Sequence, residues 1–478
     1  MGRKSYLAFY SLFYAVIFTF SLYKNLSGIT FPLFVAATLV FFRMVMSEFG
    51  VAVKKDSIFL EICSMLLGIS QVLTDNEFVK AFNVIIVFGL LLIFVMHQFT
   101  DDAKWGFERY FISILDTIGG ILKNIFAPLK DWTSFKKEKK DKEVTGNEFP
   151  WKKVVITVLL TIPALIVVVV LLSSADSVFG KLVERIFDFE IDGDVVGVIL
   201  LTIVIFLCFY ALFVYFFQKE ASLEREVKKQ DPVIGITIGI MFDVVYLVFS
   251  VIQILFLFVG GFSLPDGETY AEYAREGFFQ LLAVCGFNLL LVVLGTLKFR
   301  QNKVLKGILL VMSGCTFIMI ASSALRMILY IRYYYFTFLR VLVLWALFTI
   351  TVLMIGVVTM LLKPSFNLFR YALVTVTVLY LVLSFSHVDY FVAKWDYQES
   401  GVPSDFFISG QGFSDSRALA ELSLDAAPIL FSDAHIDDFR KHYIYFEALR
   451  NEFNVRNFNV SRYVASKLAK EQEAASAE

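Results

Sequence analysis

Residues 233–259 read VIGITIGIMFDVVYLVFSVIQILFLFV, and residues 277–298 read GFFQLLAVCGFNLLLVVLGTLK. Each run is long enough to cross roughly 30 Å of hydrocarbon as a helix. Lipid offers no partner to an exposed backbone group, so such runs must be helical. The tract at 260–282, GGFSLPDGETYAEYAREGFFQLL, joins them. Pro265, Asp266 and Gly267 form a turn signal, and Thr269 with Glu272 fits the S/T-x-x-E capping box. From Tyr270 the pattern predicts a helix running straight into the second span. That places Tyr270, Tyr273, Gly277 and Gln280 on one stripe, with Arg275 near the water interface. The expected fold class is an all-α polytopic transmembrane helix bundle.

Working outward, comparable runs fall near residues 5–23, 29–47, 57–74, 78–99, 154–174, 195–217, 304–325, 340–362 and 370–388, which makes eleven spans in all. The chain is 58% hydrophobic and 17% aromatic. Soluble domains sit nearer roughly 45–50% apolar by a wider count that includes glycine, so a soluble core is excluded. Net charge is −1 and says nothing about partners; nothing points to nucleic acid. Cys63, Cys208, Cys285 and Cys315 lie inside apolar runs without metal-site or disulfide spacing, and read as packing residues. Arg3 and Lys4 precede the first run as in a signal peptide, but no small-residue cleavage site follows, so a retained helix is expected.

Charge asymmetry orients the spans. Residues 101–153 hold eleven Lys and Arg, with Lys136, Lys137, Lys139, Lys140 and Lys142 in one run. The connections at 48–56, 218–232, 298–306 and 363–370 are also basic, while Asp75, Glu77, the tract from Asp176 to Asp194 and residues 263–276 make the alternate ones acidic or poor in lysine. This predicts a cytoplasmic N-terminus and an extracytoplasmic C-terminus. The connection at 326–340 disagrees, carrying Arg326, Arg332 and Arg340. Within 104–131, Trp105, Phe111, Ile114, Leu115, Ile118, Ile121, Leu122, Ile125 and Leu129 recur at helical spacing. Two placements fit such an amphipathic helix: on the inner membrane surface, or packed on the bundle's cytoplasmic end. The lysines that follow favour the first, with anionic headgroups as their partners. Expected units are an N-terminal four-helix segment (1–100), a cytoplasmic amphipathic helix and basic loop (101–153), a seven-helix core (154–388) and a small C-terminal helical domain (389–478). In the last, Ser414 to Leu422, Asp433 to Glu452 and Val460 to Glu471 read as helices, with a frayed tail from Lys467.

Charged groups within spans are costly and often functional. Asp243 lies deepest, near Tyr246, as a possible ion or proton site or a partner of Asn288. Arg43 and Glu61 fit a simple ion pair between adjacent antiparallel spans. Gly235 and Gly239 make a GxxxG, which permits close helix contact. At the outer level lie Asp176, Gln253, Tyr270, Tyr273, Arg275, Gln280, Arg326, Tyr330, Tyr334 and Arg340. Arginines and tyrosines around a helix N-terminus suit an anionic ligand; the bland alternative is an aromatic belt with snorkelling arginines. His435, Asp438 and His442 share a helix face, for which a solvated surface is the better account than zinc. There is no P-loop, GxSxG or HExxH, so no cofactor, metal or catalytic residue is expected.

The tract TYAEYAREGF at 269–278, preceded by Gly260 and Gly261, resembles a bacterial membrane-protein family known only as domain of unknown function 4173, related to 4153. Ser173 to Phe179 (SSADSVF) is similar to its A-D-x-x-F motif. Arg326-Met327, Leu329-Tyr330, Tyr334, Thr337 and Arg340 resemble its R-M-x-L-Y and Y-G-L-T-x-x-R patterns. Leu422-Ser423, Asp425-Ala426 and Pro428 resemble L-S-x-D-A-x-P, and Arg456, Phe458-Asn459 and Ser461-Arg462 resemble R-x-W-N-x-S-R. The likeness covers roughly residues 154–465, with no motif in the first four spans. Tyr335 departs from the family's glycine, and His387 and Asp396 from its asparagines. The resemblance implies a multi-pass bacterial membrane protein and brings no established biochemical activity with it. The expected role is non-enzymatic binding, scaffolding or sensing at the outer leaflet. Secondary transport through Asp243 is the alternative, and an envelope lipid- or glycan-modifying enzyme using outward carboxylates such as Asp176 and Asp188 is the third.

Overall fold

The computed structural model describes residues 3–102, 105–131, 193–218, 229–255, 277–399, 422–432, 439–450, 454 and 456–477. Among these, helices are the regular elements, with one isolated bridge between Gln230 and Phe299. In chain order they are α1 (Arg3–Leu22), α2 (Thr30–Glu48), α3 (Ile58–Leu73), α4 (Glu77–Phe99), α5 (Phe107–Asn124), α6 (Gly193–Gln218), α7 (Pro232–Ile254), α8 (Phe278–Lys298), α9 (Lys303–Tyr334), α10 (Phe338–Leu362), α11 (Leu368–Phe385), α12 (Val388–Ala393), α13 (Ala427–Ser432), α14 (Phe439–Leu449) and α15 (Val460–Ala477). Ten of the described helices are long and apolar enough to cross a membrane. They coincide with ten of the eleven expected spans, and the run at 154–174 lies outside the described residues. The protein is a polytopic helix bundle.

Side chains at the helix starts fix several boundaries. Asn76 accepts from the Val79 N–H at 3.0 Å at the head of α4, and Asn367 accepts from the Arg370 N–H at 3.1 Å at the head of α11. Asp231 caps α7 ahead of Pro232, whose missing N–H costs nothing at a first-turn position. Such caps contribute about 1 kcal/mol each. The helices sort into two cores. One joins α1–α4, α6 and α11 with residues of the C-terminal helices, including Leu424, Leu430, Ile444 and Ala465. The other lies among α7–α10, around Cys285, Met312, Met319 and Leu347.

Polar contacts define two ends. At one, which we call the basic end, Lys4 meets Asp131, Lys54 donates to the carbonyls of His97 and Thr100, and Arg370 reaches Asp102. At the other, the C-terminal end, the Ile29 N–H donates to the Phe458 carbonyl, the Asp75 N–H to Asp425, and the Phe336 N–H to Asp396.

Several expectations meet their counterparts here. Arg43 pairs with Glu61. Gly235 and Gly239 admit α9 closely: a Cβ on Gly239 would lie 2.4 Å from Ile308 Cγ2. Helix α5 buries Tyr110, Ser113, Thr117 and Gly120, the last against Tyr215 of α6, and leaves Phe111, Leu115, Ile118 and Leu122 exposed. It therefore packs on the bundle by its small and polar face and turns its apolar face outward. Two expectations are corrected. The tail from Lys467 does not fray, because α15 continues to Ala477 with Ala465 and Ala469 buried. The helix expected to run unbroken from Tyr270 is interrupted at Gly277, whose φ of 89° is left-handed; α8 starts only at Phe278.

Candidate functional site

The C-terminal end holds the densest buried polar cluster, built on the turn between α3 and α4. A helix end leaves carbonyls without intrahelical partners. At α3 these are met from far along the chain: Asn459 Nδ2 donates to the Thr74 carbonyl at 2.9 Å, and Ser461 Oγ to the Leu73 carbonyl at 2.9 Å. Asp75 is 5% exposed and sits between two cations, Lys80 Nζ at 2.8 Å and Arg462 Nε at 2.7 Å. Buried charge of this kind persists only when paired and hydrogen-bonded.

Two further buried carboxylates complete the cluster. Asp425 accepts from the Thr74 hydroxyl at 2.5 Å and the Asp75 N–H at 2.7 Å. Burial alone would raise its carboxyl, but His387, the Ser461 and Thr74 hydroxyls and the Asp75 N–H hold it below the usual carboxylate range. Asp389 accepts from Asn76 Nδ2 at 2.8 Å and the Ser423 hydroxyl at 2.6 Å. Burial pushes this one up despite those bonds.

His387 links the cluster to a cavity. Its Nδ1 lies 3.5 Å from Asp425 Oδ2, and its side chain is 35% exposed. Asp425 raises the imidazole above its ordinary range against the opposing effect of burial. The backbone at His387 is left-handed, with φ 46°. Histidine is among the residues enriched in that region. The cavity has a volume of about 320 Å³, and its walls are largely apolar, including Leu73, Leu424, Pro428 and Val464, with His387, Asp425 and Ser461 as the polar part. His387 Nε2 has no hydrogen-bond partner among the described residues. An apolar pocket with a few converging polar groups is the usual form of a small-molecule site.

The arginine and tyrosine residues singled out in the sequence are arranged differently. Tyr270, Tyr273 and Arg275 lie outside the described residues, as do Asp176, Asp188, the lysine run at 136–142, His435 and Asp438. Gln280 is exposed on the outer side of α8, away from the buried face of Phe278, Leu281 and Cys285. Arg326 Nη2 donates to Gln253 Oε1 at 3.4 Å, across α7 and α9. Tyr330 is buried, and the Arg340 guanidinium stacks 4.2 Å from its ring centroid while donating to the Tyr335 carbonyl at 2.6 Å. Arg340 is 4% exposed. The backbone of Tyr334 closes α9, and its side chain lies outside the description. Tyr330 and Arg340 thus come together with Tyr335 in the corner between α9 and α10, while Arg326 joins α7. Asp243 is 7% exposed, and its Oδ1 is buried without a hydrogen-bond partner among the described residues. Asn288 donates instead to Thr316 Oγ1 at 3.1 Å. Among the described residues, no three His, Cys, Asp or Glu side chains converge to hold a metal.

The α3–α4 turn gathers Asp425, Asn459, Ser461 and Arg462 directly and Ser423 through Asp389, in the region where the sequence showed no motif, while Arg456 donates to the Tyr23 carbonyl between α1 and α2. Residues 62–432 match the family model described as domain of unknown function (DUF4153). The chain belongs to this family. The match begins within α3, so the family region takes in α3 and α4 as well as the later spans. The motif likeness named the related 4173; the family shown is 4153. Comparison with curated proteins and with solved structures gives no match. Of the site, Asp425 and Ser461 were legible as motif residues. Thr74, Asn76, Lys80 and Asp389 were not, because nothing in their spacing says that the C-terminal helices return to α3. His387 carried a signal, its departure from asparagine.

Proposed function

We propose that this family member is a non-enzymatic binding protein whose ligand occupies the cavity beside His387. The observation that carries the reading is a single polar wall in an otherwise apolar cavity, with His387 braced by Asp425. A ligand with an apolar body and one anionic or acceptor group matches it: the imidazolium donates to the acceptor, and Leu424, Pro428 and Val464 cover the body. Alternation of basic and acidic connections supports a cytoplasmic basic end and an extracytoplasmic C-terminal end, in a bacterial cytoplasmic membrane. The exposed Phe111, Leu115, Ile118 and Leu122 of α5 then meet lipid at the inner surface, with anionic headgroups beside the following lysines. The motif likeness supports kinship with family 4173 as well. Tyr330 and Arg340 act here as structure that holds the corner between α9 and α10.

The test compares phenylbutyrate with phenylbutanol, which share an apolar body, by equilibrium dialysis against the detergent-purified full chain. Wild type should prefer the acid. His387→Asn keeps the left-handed backbone but removes the charge, so the preference should vanish, and Val464→Trp should abolish binding of both. Equal binding of both probes by wild type and Val464→Trp sinks the reading.

A second reading rests on the unpartnered buried oxygen of Asp243. A carboxylate in a span without a partner suits proton or cation transport. Proteoliposomes holding a pH-sensitive dye would then show proton flux that Asp243→Asn eliminates; flux unaltered by that variant removes it.

A further inference from the structure

The connection from α8 to α9 puts basic side chains where a helix start favours acidic ones. It is short, Phe299 to Asn302, and its backbone is pinned: the Gln230 N–H donates to the Lys298 carbonyl at 2.8 Å and the Arg300 N–H to the Gln230 carbonyl at 3.1 Å. Asn302 then caps α9, accepting from the Val304 N–H at 2.7 Å. A helix N-terminus bears partial positive charge and favours acidic side chains in its first turn. Helix α9 has none there, and Lys303 and Lys306 occupy the start instead, with Arg300 just before it. Among the described residues none of these three side chains has an ion pair or hydrogen bond. Three cations and a helix N-terminus therefore converge without an anionic partner among the described residues.

They do so on a cavity of about 310 Å³ between the end of α8, the start of α9 and the end of α10. Arg300, Lys303 and Lys306 form its polar side, and Leu305, Leu309 and Met360 are among its apolar lining. The exposed Val304 and Leu362, 58% and 56% exposed, continue that apolar surface on the bundle's exterior. A free phosphate would use only the cations. An apolar wall continuous with the bundle's outer surface calls for a ligand with a hydrocarbon part.

We propose that this cavity binds an anionic phospholipid, its phosphate held by Arg300, Lys303 and Lys306 and an acyl chain laid against Leu305, Leu309 and Met360. Basic pockets between membrane helices are a recurring way to hold such headgroups. The site is separate from the His387 cavity and lies at the opposite end of the bundle.

The full chain in detergent is titrated with dioleoylphosphatidylglycerol, dioleoylphosphatidylcholine or inorganic phosphate and read by native mass spectrometry. Wild type should prefer phosphatidylglycerol over phosphatidylcholine by about tenfold or more, since each nearby cation contributes to headgroup attraction. Arg300→Gln/Lys303→Gln/Lys306→Gln should bring the two lipids to parity, and Met360→Trp should weaken both. Lys123→Gln/Lys130→Gln, which removes two exposed cations from α5 and the segment after it, should leave the preference intact. The proposal is overturned if the triple variant keeps the preference or if the α5 variant loses it equally. It is also overturned if inorganic phosphate displaces the lipid at millimolar concentration, which would assign the cations to free phosphate. Arg300, Lys303, Lys123 and Lys130 are exposed and Lys306 is half-buried, and a matching gel-filtration profile confirms that each variant is folded.

Discussion

Each end of the bundle sets a histidine against carboxylates, and the two ends do it differently. At the basic end His97 is fully engaged: Nδ1 lies 2.8 and 2.9 Å from the two oxygens of Asp102, and Nε2 lies 2.9 Å from Asp56. Its side chain is 8% exposed. Asp102 also accepts from the Tyr110 hydroxyl and lies 3.5 Å from Arg370, so the joint ties together α4, α5, α11 and the turn before α3. At the C-terminal end His387 uses one nitrogen, at 3.5 Å, and borders a cavity. The same two residue types make a structural joint in one place and a candidate ligand contact in the other. What separates them is how many of the ring's nitrogens already have a protein partner, because an imidazole with both nitrogens bonded has nothing left to offer a ligand.

The largest effect should come from breaking the joint. Burial alone would raise the Asp102 carboxyl, yet His97, Tyr110 and Arg370 hold it below the usual range. Asp102→Ala leaves a buried histidine and a buried phenol without their acceptor. Removing one member of a buried pair costs about 3–5 kcal/mol. Thermal unfolding in detergent should show that loss. A change below about 1 kcal/mol would mean that the basic end does not depend on the joint, and the contrast with His387 would fail.

A smaller effect should distinguish the other end by pH. Because Asp425 raises the folded-state value of His387, the pair contributes stability that is complete below about pH 6.5, the ordinary histidine value. That contribution fades as pH rises through the raised value. The depressed Asp425 contributes stability that is present above about pH 3.9 and lost as pH falls through its folded value. Asp389, raised by burial, acts in the opposite sense to Asp425: it costs stability as pH climbs past the ordinary carboxylate value. Between about pH 6 and about pH 9, wild type should lose up to about 1 kcal/mol, the figure kept small because His387 is partly exposed to solvent. His387→Asn should lose less over that window, because every other titrating group is common to the two proteins. Parallel slopes for the two proteins would show that His387 does not titrate against Asp425.

The difference between the ends also shows what the sequence could reveal. Ten spans were legible because hydrophobic length alone fixes a membrane helix, and the Gly235 and Gly239 contact followed from residue size. The pairing of Arg43 with Glu61 needed only adjacent antiparallel helices. The site was harder, because it depends on long-range return. Asn459 and Ser461 cap a helix that ended almost four hundred positions earlier, and spacing along the chain carries no trace of such a partner. Spacing put Arg326, Tyr330 and Arg340 near one level, but could not say whether they would line a pocket or stack on one another. Arg340 lies over Tyr330 because the left-handed residue Tyr335 turns its carbonyl toward the guanidinium. At Gly277 the capping box upstream suggested one continuous helix, and a left-handed glycine interrupts it.

Backbone strain gives the last and smallest way to sharpen the comparison. Among the described residues, three that are not glycine have positive φ: Lys24 at 52°, Tyr335 at 64° and His387 at 46°. All three lie at the C-terminal end, whereas the basic end makes its positive-φ turn with Gly50, at 76°. Tyr335, with ψ −173°, lies in a region that only glycine visits freely, where strain costs about 1–3 kcal/mol. Arg340 on its carbonyl and Asp396 on the next N–H hold it there. Tyr335→Gly keeps both bonds, since each involves backbone atoms, while relieving the strain and giving up the contacts of a half-buried ring. The net should be a gain of about 0.5 kcal/mol, smaller than the strain itself because the unfolded chain gains freedom with glycine. Gly50→Ala at the other end should cost about 1 kcal/mol by the reverse argument. Melting curves of the two variants test the pair together: the first should rise and the second fall. If Tyr335→Gly melts lower than wild type, the ring's contacts outweigh the strain, and the C-terminal end is no more strained than the basic one.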